Sequence, residues 1–166
     1  MSEELPKRYF IWGEYDTGKT LFVNKLAQRM KTLVYNKRCA SAWESYKGEK
    51  VVHIEDLTPE KVQYIRNSIK EWIDYHPFRS GTILNSKTGE IIKEGKMIDP
   101  STYIFIITSR KSPEEILSGL DDYTRGKIYN RIEILHFKKD SVKKVKEMNT
   151  INKDLSIDEI FKEETV

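Results

Sequence analysis

Eight consecutive residues, Gly13-Glu14-Tyr15-Asp16-Thr17-Gly18-Lys19-Thr20, constrain this chain more than any other stretch. They match G-x-x-x-x-G-K-[S/T], a spacing that carries meaning only between a strand and a helix. Both flanks are present. Arg8-Tyr9-Phe10-Ile11-Trp12 is a short β-branched and aromatic run that predicts a buried strand. From Thr20 to Met30, apolar residues at Leu21, Phe22, Leu26 and Met30 follow a helical spacing. In that setting the glycines let the backbone wrap a phosphate, and the amide groups and helix N-terminus point at the anion. Lys19 is predicted to neutralise β- and γ-phosphate charge, and the Thr20 hydroxyl to hold Mg2+. Glu14 and Asp16 carry the wrong sign for close approach to phosphate, so their side chains are expected to point outward.

A loop of this kind needs a second strand ending in carboxylate, to hold the water shell of the metal and to activate the attacking water. Val51-Val52-His53-Ile54 runs into Glu55-Asp56, thirty-odd residues beyond the lysine. Glu55 is expected to face the metal beside Thr20, and Asp56 to orient or deprotonate water. Adjacent acids after an apolar strand also occur as plain helix-start residues; the neighbouring loop tips the reading toward function. Tyr103 to Ile107 is the most apolar strand, and it ends in Thr108-Ser109-Arg110. A central strand of a doubly wound sheet delivers its C-terminal polar residues to the ligand crevice. Ser109 and Thr108 are therefore read as partners of water or the γ-phosphate, or else as caps of the next turn.

The remaining chain alternates in the same way. Leu33-Val34-Tyr35 reads as a strand. Thr58-Pro59-Glu60 reads as a capped helix start, continued by Val62, Ile65, Ile69, Trp72 and Ile73 up to Pro77. Residues 82–98 read as a hairpin around the turn formers 85–89. A helical or mixed stretch leads to a last strand at 132–137, a basic helix at 140–149 and an acidic tail at 150–166. Alternating strands and helices predict an α/β domain with a largely parallel, covered sheet. The 166 residues suit one domain.

Composition mostly excludes. Cys39 is the only cysteine, so no intramolecular disulfide or thiolate cluster can form. The three histidines, His53, His76 and His136, show no ligand spacing, which argues against a zinc hydrolase. The longest apolar run is far short of the roughly 20 residues of a membrane span, and the polar, acidic start shows no signal peptide. A net charge of +3, from 29 basic and 26 acidic residues, is too small to argue for nucleic acid. An intracellular domain with no membrane partner is expected.

Taken in order, five stretches over residues 9–137 resemble the superfamily 3 helicase domain of rolling-circle replication initiators, the Rep proteins of circular single-stranded DNA viruses and related plasmids. They are the phosphate loop; Trp43 to Glu49 leading into Glu55-Asp56; Tyr75-His76-Pro77-Phe78; Ile106-Ile107-Thr108-Ser109; and Ile128-Tyr129-Asn130-Arg131-Ile132. The loop is generic, whereas the tryptophan–tyrosine–glycine lead-in and the Tyr-Asn-Arg-Ile element discriminate more. The resemblance implies an AAA+-like P-loop NTPase with an inserted β-hairpin, working as an ATP-hydrolysing DNA helicase that forms a ring, usually a hexamer. It implies ATP and Mg2+ as cofactors and single-stranded DNA and further copies of itself as partners, with a nicking domain or initiator as another. It implies the cytoplasm for a bacterial or plasmid-borne protein and the host nucleus for a virus of eukaryotes. Arg131 corresponds to the arginine finger that reaches a neighbour's nucleotide, with Arg125 as the alternative. Lys87 at the hairpin tip, with Lys93 and Lys96, corresponds to the surface that meets the DNA backbone, and Arg79 lies at its base.

Three departures bear on these expectations. Arg110 stands where the family has Asn, which removes the sensor role or moves it to Ser109 or Arg110, and the hairpin is longer than in the viral proteins. Only a lead of residues 1–8 precedes the resembling core and no His-x-His occurs, so nicking chemistry and strong ring closure are not expected of residues 1–166. Residues 138–146 carry five lysines against one aspartate, either contacting phosphate or forming a solvated face. The tail is expected to dock Ile160 and Phe161 on the same core. The competing functions are a nucleotide kinase-type phosphotransferase, an RNA-directed viral helicase and a nucleotide-dependent binding module without turnover.

Overall fold

The computed structural model describes residues 4–81 and 83–148. The first half comprises β1 (Arg8–Trp12), α1 (Lys19–Arg29), β2 (Val34–Asn36), β3 (Val51–Ile54), α2 (Pro59–Ile65) and α3 (Ile69–Ile73). An antiparallel excursion follows, made of β4 (Phe78–Arg79), β5 (Ile83–Leu84), β6 (Ile91–Lys93) and β7 (Met97–Ile98). After a single 3-10 turn come β8 (Ile104–Ser109), α4 (Pro113–Ile116), α5 (Asp122–Tyr129), β9 (Glu133–His136) and α6 (Ser141–Glu147).

Five strands form one wholly parallel sheet in the order β2-β3-β8-β1-β9. Both faces are covered, which explains the continuous apolar runs. Alternation along each strand divides the core. Tyr9, Ile11, Val51 and Ile106 pack with Phe22, Val23 and Leu26 of α1 and with Val145 of α6. Phe10, Val52, Ile54, Phe105 and Ile107 pack against the apolar faces of α2, α3 and α5. The expected α/β architecture is therefore the observed one. The described residues contain no helix long and apolar enough to cross a membrane.

The structure differs from the sequence reading in several places. The helix expected from Thr58 to Pro77 is two helices, interrupted at Arg66-Asn67-Ser68. Asn and Ser compete for backbone hydrogen bonds, and here the Ser68 amide turns back to the Ile65 carbonyl at 2.9 Å. The apolar face survives because the interruption spans about one turn. The hairpin has two steps: Phe78–Arg79 pairs with Met97–Ile98, and further out Ile83 pairs with Lys93 and Leu84 with Ile91, the register shifting between Ile83 and Leu84. Its tip is a tight turn in which the Asn85 side-chain oxygen accepts from the amides of Lys87 and Thr88, at 2.9 and 3.2 Å.

An aromatic cluster fastens the base of this hairpin to the core. Trp43 stacks on Tyr35 and Tyr103 and meets Tyr46, Trp72 and Phe78 edge-on. Beneath it, the Lys37 ammonium donates to the carbonyls of Arg38, Ala40 and Ala42 and lies 4.4 Å from the Trp72 ring centroid. Burial pushes its pKa down to about 8.

Candidate nucleotide-binding site

In a parallel sheet all strands finish at one edge, and the predicted loop leaves β1 at that edge. Trp12 pairs with Ser109 and Ile54 with Ile107, so Gly13, Glu55 and Thr108 lie within about two residues of one another along the strands. A cleft of about 640 Å³ opens there. Gly18 caps α1 at φ 94°, with no side chain satisfying the first amides and no acid in the first turn. The positive end of the helix dipole thus faces the cleft with no acid of its own first turn to offset it, as suits an anion site. Gly13 has no alternative residue: a Cβ there would collide with the Phe137 carbonyl oxygen.

Lys19 lies across the loop, its ammonium donating to the carbonyls of Gly13 and Glu14 at 2.6 Å each. Burial lowers its pKa, opposed by Asp56 and reinforced by Arg110. Tyr15, Asp16, Thr17, Gly18 and Thr20 line the same cleft. Glu14 and Asp16 are exposed, Asp16 at the rim with a left-handed backbone of φ 60°. Across the cleft, a Glu55 carboxylate oxygen stands 3.5 Å from the Thr20 hydroxyl. Two oxygen donors converging beside a phosphate loop fit Mg2+, which completes its shell with water and phosphate oxygens.

Asp56, at φ 52°, is held in the left-handed region by its neighbours. Its amide donates to the Thr108 hydroxyl at 3.2 Å, and that hydroxyl lies 2.8 Å from Nε2 of buried His53. The Thr108 hydroxyl, with two lone pairs and one proton, bridges the Asp56 amide and the His53 ring, and the tautomer of the ring sets which of the two donates. Burial pushes the His53 pKa down to about 4. The Asp56 carboxylate accepts from Arg110 at 3.2 Å, and the Arg110 guanidinium lies 4.6 Å from the centroid of the Tyr15 ring, donating to its hydroxyl. Ser109, expected at the nucleotide, turns away: its hydroxyl donates to the Leu57 carbonyl at 2.9 Å and accepts from the Lys111 amide. Thr108 takes the place in the cleft. The sequence offered Arg110 as a departure from a family pattern and an alternative sensor, but not its pairing with Asp56, whose backbone turns through φ 52°.

The other candidates lie elsewhere. Arg131 precedes β9, whose Glu133 pairs with Tyr9, so it sits at the opposite edge of the sheet from the cleft. A strand's length, roughly 13 Å at about 3.3 Å per residue, separates the two edges. There Arg131 is 3.4 Å from Asp74, over the Tyr75 ring, with its side chain 47% exposed. Arg125 is tied within its own segment to the Leu120 carbonyl and to Asp122. On the hairpin, Lys87 and Lys93 are exposed, whereas the Lys96 ammonium donates to the Tyr46 carbonyl at 2.7 Å. The acidic tail and Phe161 lie outside the described residues.

A parallel α/β sheet with a glycine-rich loop, lysine and hydroxyl facing strand-end acids defines a P-loop nucleotide-binding domain. A family model described as RNA helicase matches residues 9–108, more than half of the chain, and the chain belongs to that family. No curated protein matches it. The matched region holds the loop, both acids and Thr108, while Arg131 falls beyond it.

Proposed function

We propose that this domain is an ATP-hydrolysing motor that acts on single-stranded nucleic acid as a ring of identical subunits, with single-stranded DNA as its polymer and replication initiation as its setting. The observation that carries the reading is the separation between two edges of one sheet. Lys19, Thr20, Glu55, Asp56 and Thr108 meet at the cleft, and Arg131 stands at the far edge, away from the cleft of its own chain.

In this reading the loop amides and Lys19 hold the β- and γ-phosphates, and Thr20 with Glu55 holds Mg2+. Bound there, Mg2+ offsets charge on the phosphoryl oxygens. Asp56 orients the attacking water, and the His53–Thr108 pair fixes its backbone. Arg110 holds the Asp56 carboxylate aimed at the cleft mouth. The guanidinium of a neighbour's Arg131 stabilises charge on the transferring group. Motif order across residues 43–132 supports DNA; the family's description favours RNA as a second reading of the same motor.

Steady-state ATP hydrolysis with no polymer, with single-stranded DNA and with single-stranded RNA tests this. Stimulation by DNA above RNA is expected, and Lys19→Ala abolishes turnover. Stimulation by RNA alone selects the second reading. Dependence on an added nucleoside monophosphate would make the domain a phosphotransferase, and tight ATP binding without turnover a binding module.

A further inference from the structure

The phosphate machinery accounts for only part of the cleft. Its remaining walls come from Leu21, one residue past Thr20 on α1, and from Val142 and Lys146 on α6. α6 lies more than thirty residues beyond the family match, in the segment whose sequence shows chiefly lysines.

The helix is set in place by two kinds of contact. Ser141, Val145 and Met148 are buried on its inner face. At its end, the Lys25 ammonium of α1 donates to the carbonyls of Lys146 and Met148, at 2.8 and 3.1 Å, satisfying groups a helix C-terminus leaves open. At its start, Val142 lies so close to Gly18 that a Cβ on that glycine would come within 3.0 Å of the Val142 Cα. Residues four apart share a helix face, so locking 141 and 145 inward turns 142 and 146 together toward the cleft. The helix that bears Lys19 and Thr20 therefore also holds α6, and the wall is as fixed as the loop.

The chemistry of that wall differs from the rest. Leu21 and Val142 offer apolar surface, and Lys146 is an exposed donor without acceptor capacity. A flat, weakly hydrated ring with oxygen or nitrogen acceptors on its edge fits both; a bare polyphosphate uses neither. We propose that α6 is the nucleoside-binding wall of the cleft, with Val142 and Leu21 packing on the base and Lys146 donating to its acceptor edge. The proposal rests on the reading of the cleft as a nucleoside-triphosphate site.

Equilibrium binding of two probes, ATP and inorganic tripolyphosphate, separates the two ideas. Val142→Asn should weaken ATP about tenfold, and Lys146→Met about threefold, the losses typical of one apolar or polar contact. Both variants should bind tripolyphosphate within about twofold of the unaltered protein, and Lys19→Ala should weaken both probes. Equal losses for ATP and tripolyphosphate, or unchanged ATP affinity in both variants, would overturn the nucleoside wall while leaving the phosphate site standing. An unaltered protein that binds neither probe would overturn the phosphate site and the wall together. Lys146 is exposed, so its variant reports on the ligand even where Val142→Asn loosens the fold.

Discussion

His53 is a buried base, hydrogen-bonded to Thr108, and burial disfavours its charged form. Its pKa falls from 6.5 to about 4 on folding, so between those values the unfolded chain takes up a proton that the folded protein refuses. Stability therefore drops as pH falls through that window, by up to about 3 kcal/mol from this group. Urea midpoints measured from pH 7 to pH 4 should show this slope, and His53→Gln should be less stable at pH 7 yet flatter toward acid. Gly13 makes a second prediction at this scale. Alanine there meets a main-chain carbonyl that cannot turn away, so G13A should lose about 2 kcal/mol in urea unfolding. The glycine was legible from its motif, but the reason no other residue fits was not, because Phe137 is 124 positions away in the chain.

Strands were the most readable elements, since burial on both faces leaves unbroken apolar runs such as Phe105-Ile106-Ile107. The break between α2 and α3 was hidden because the apolar spacing continues through it. α6 was misleading for a related reason: its few inward residues are interleaved with lysines, so charge masks a face that closes the nucleotide cleft. In the hairpin, the turn chemistry of Asn85 placed Lys87 at the tip, while the second step at β4 and β7 depends on tertiary packing by Trp43 and Phe78. The three hairpin lysines should now behave differently. Lys87→Ala and Lys93→Ala should each weaken single-stranded DNA binding and reduce its salt slope by about 1. Lys96→Ala should instead lower the urea midpoint, since its ammonium is committed to the Tyr46 carbonyl. Salt titrations of binding and unfolding curves on the same variants distinguish the two effects.

At the scale of the whole molecule, a net charge of +3 says little, but charged groups gather at two separate edges of the sheet. One edge gathers Lys19, Glu55, Asp56 and Arg110 around a nucleotide cleft; the other presents Arg131 beside Asp74. A single chain cannot bring these together, because the sheet that supports both also holds them apart. If Arg131 completes the site of a neighbour, Arg131→Ala chains mixed with Lys19→Ala chains should regain part of the turnover that each lacks alone. The most direct measurement is the ATP hydrolysis rate per chain against protein concentration, with and without single-stranded DNA. A rate per chain that climbs with concentration and climbs further with DNA is the predicted result; a rate indifferent to both would contradict the motor and its shared site.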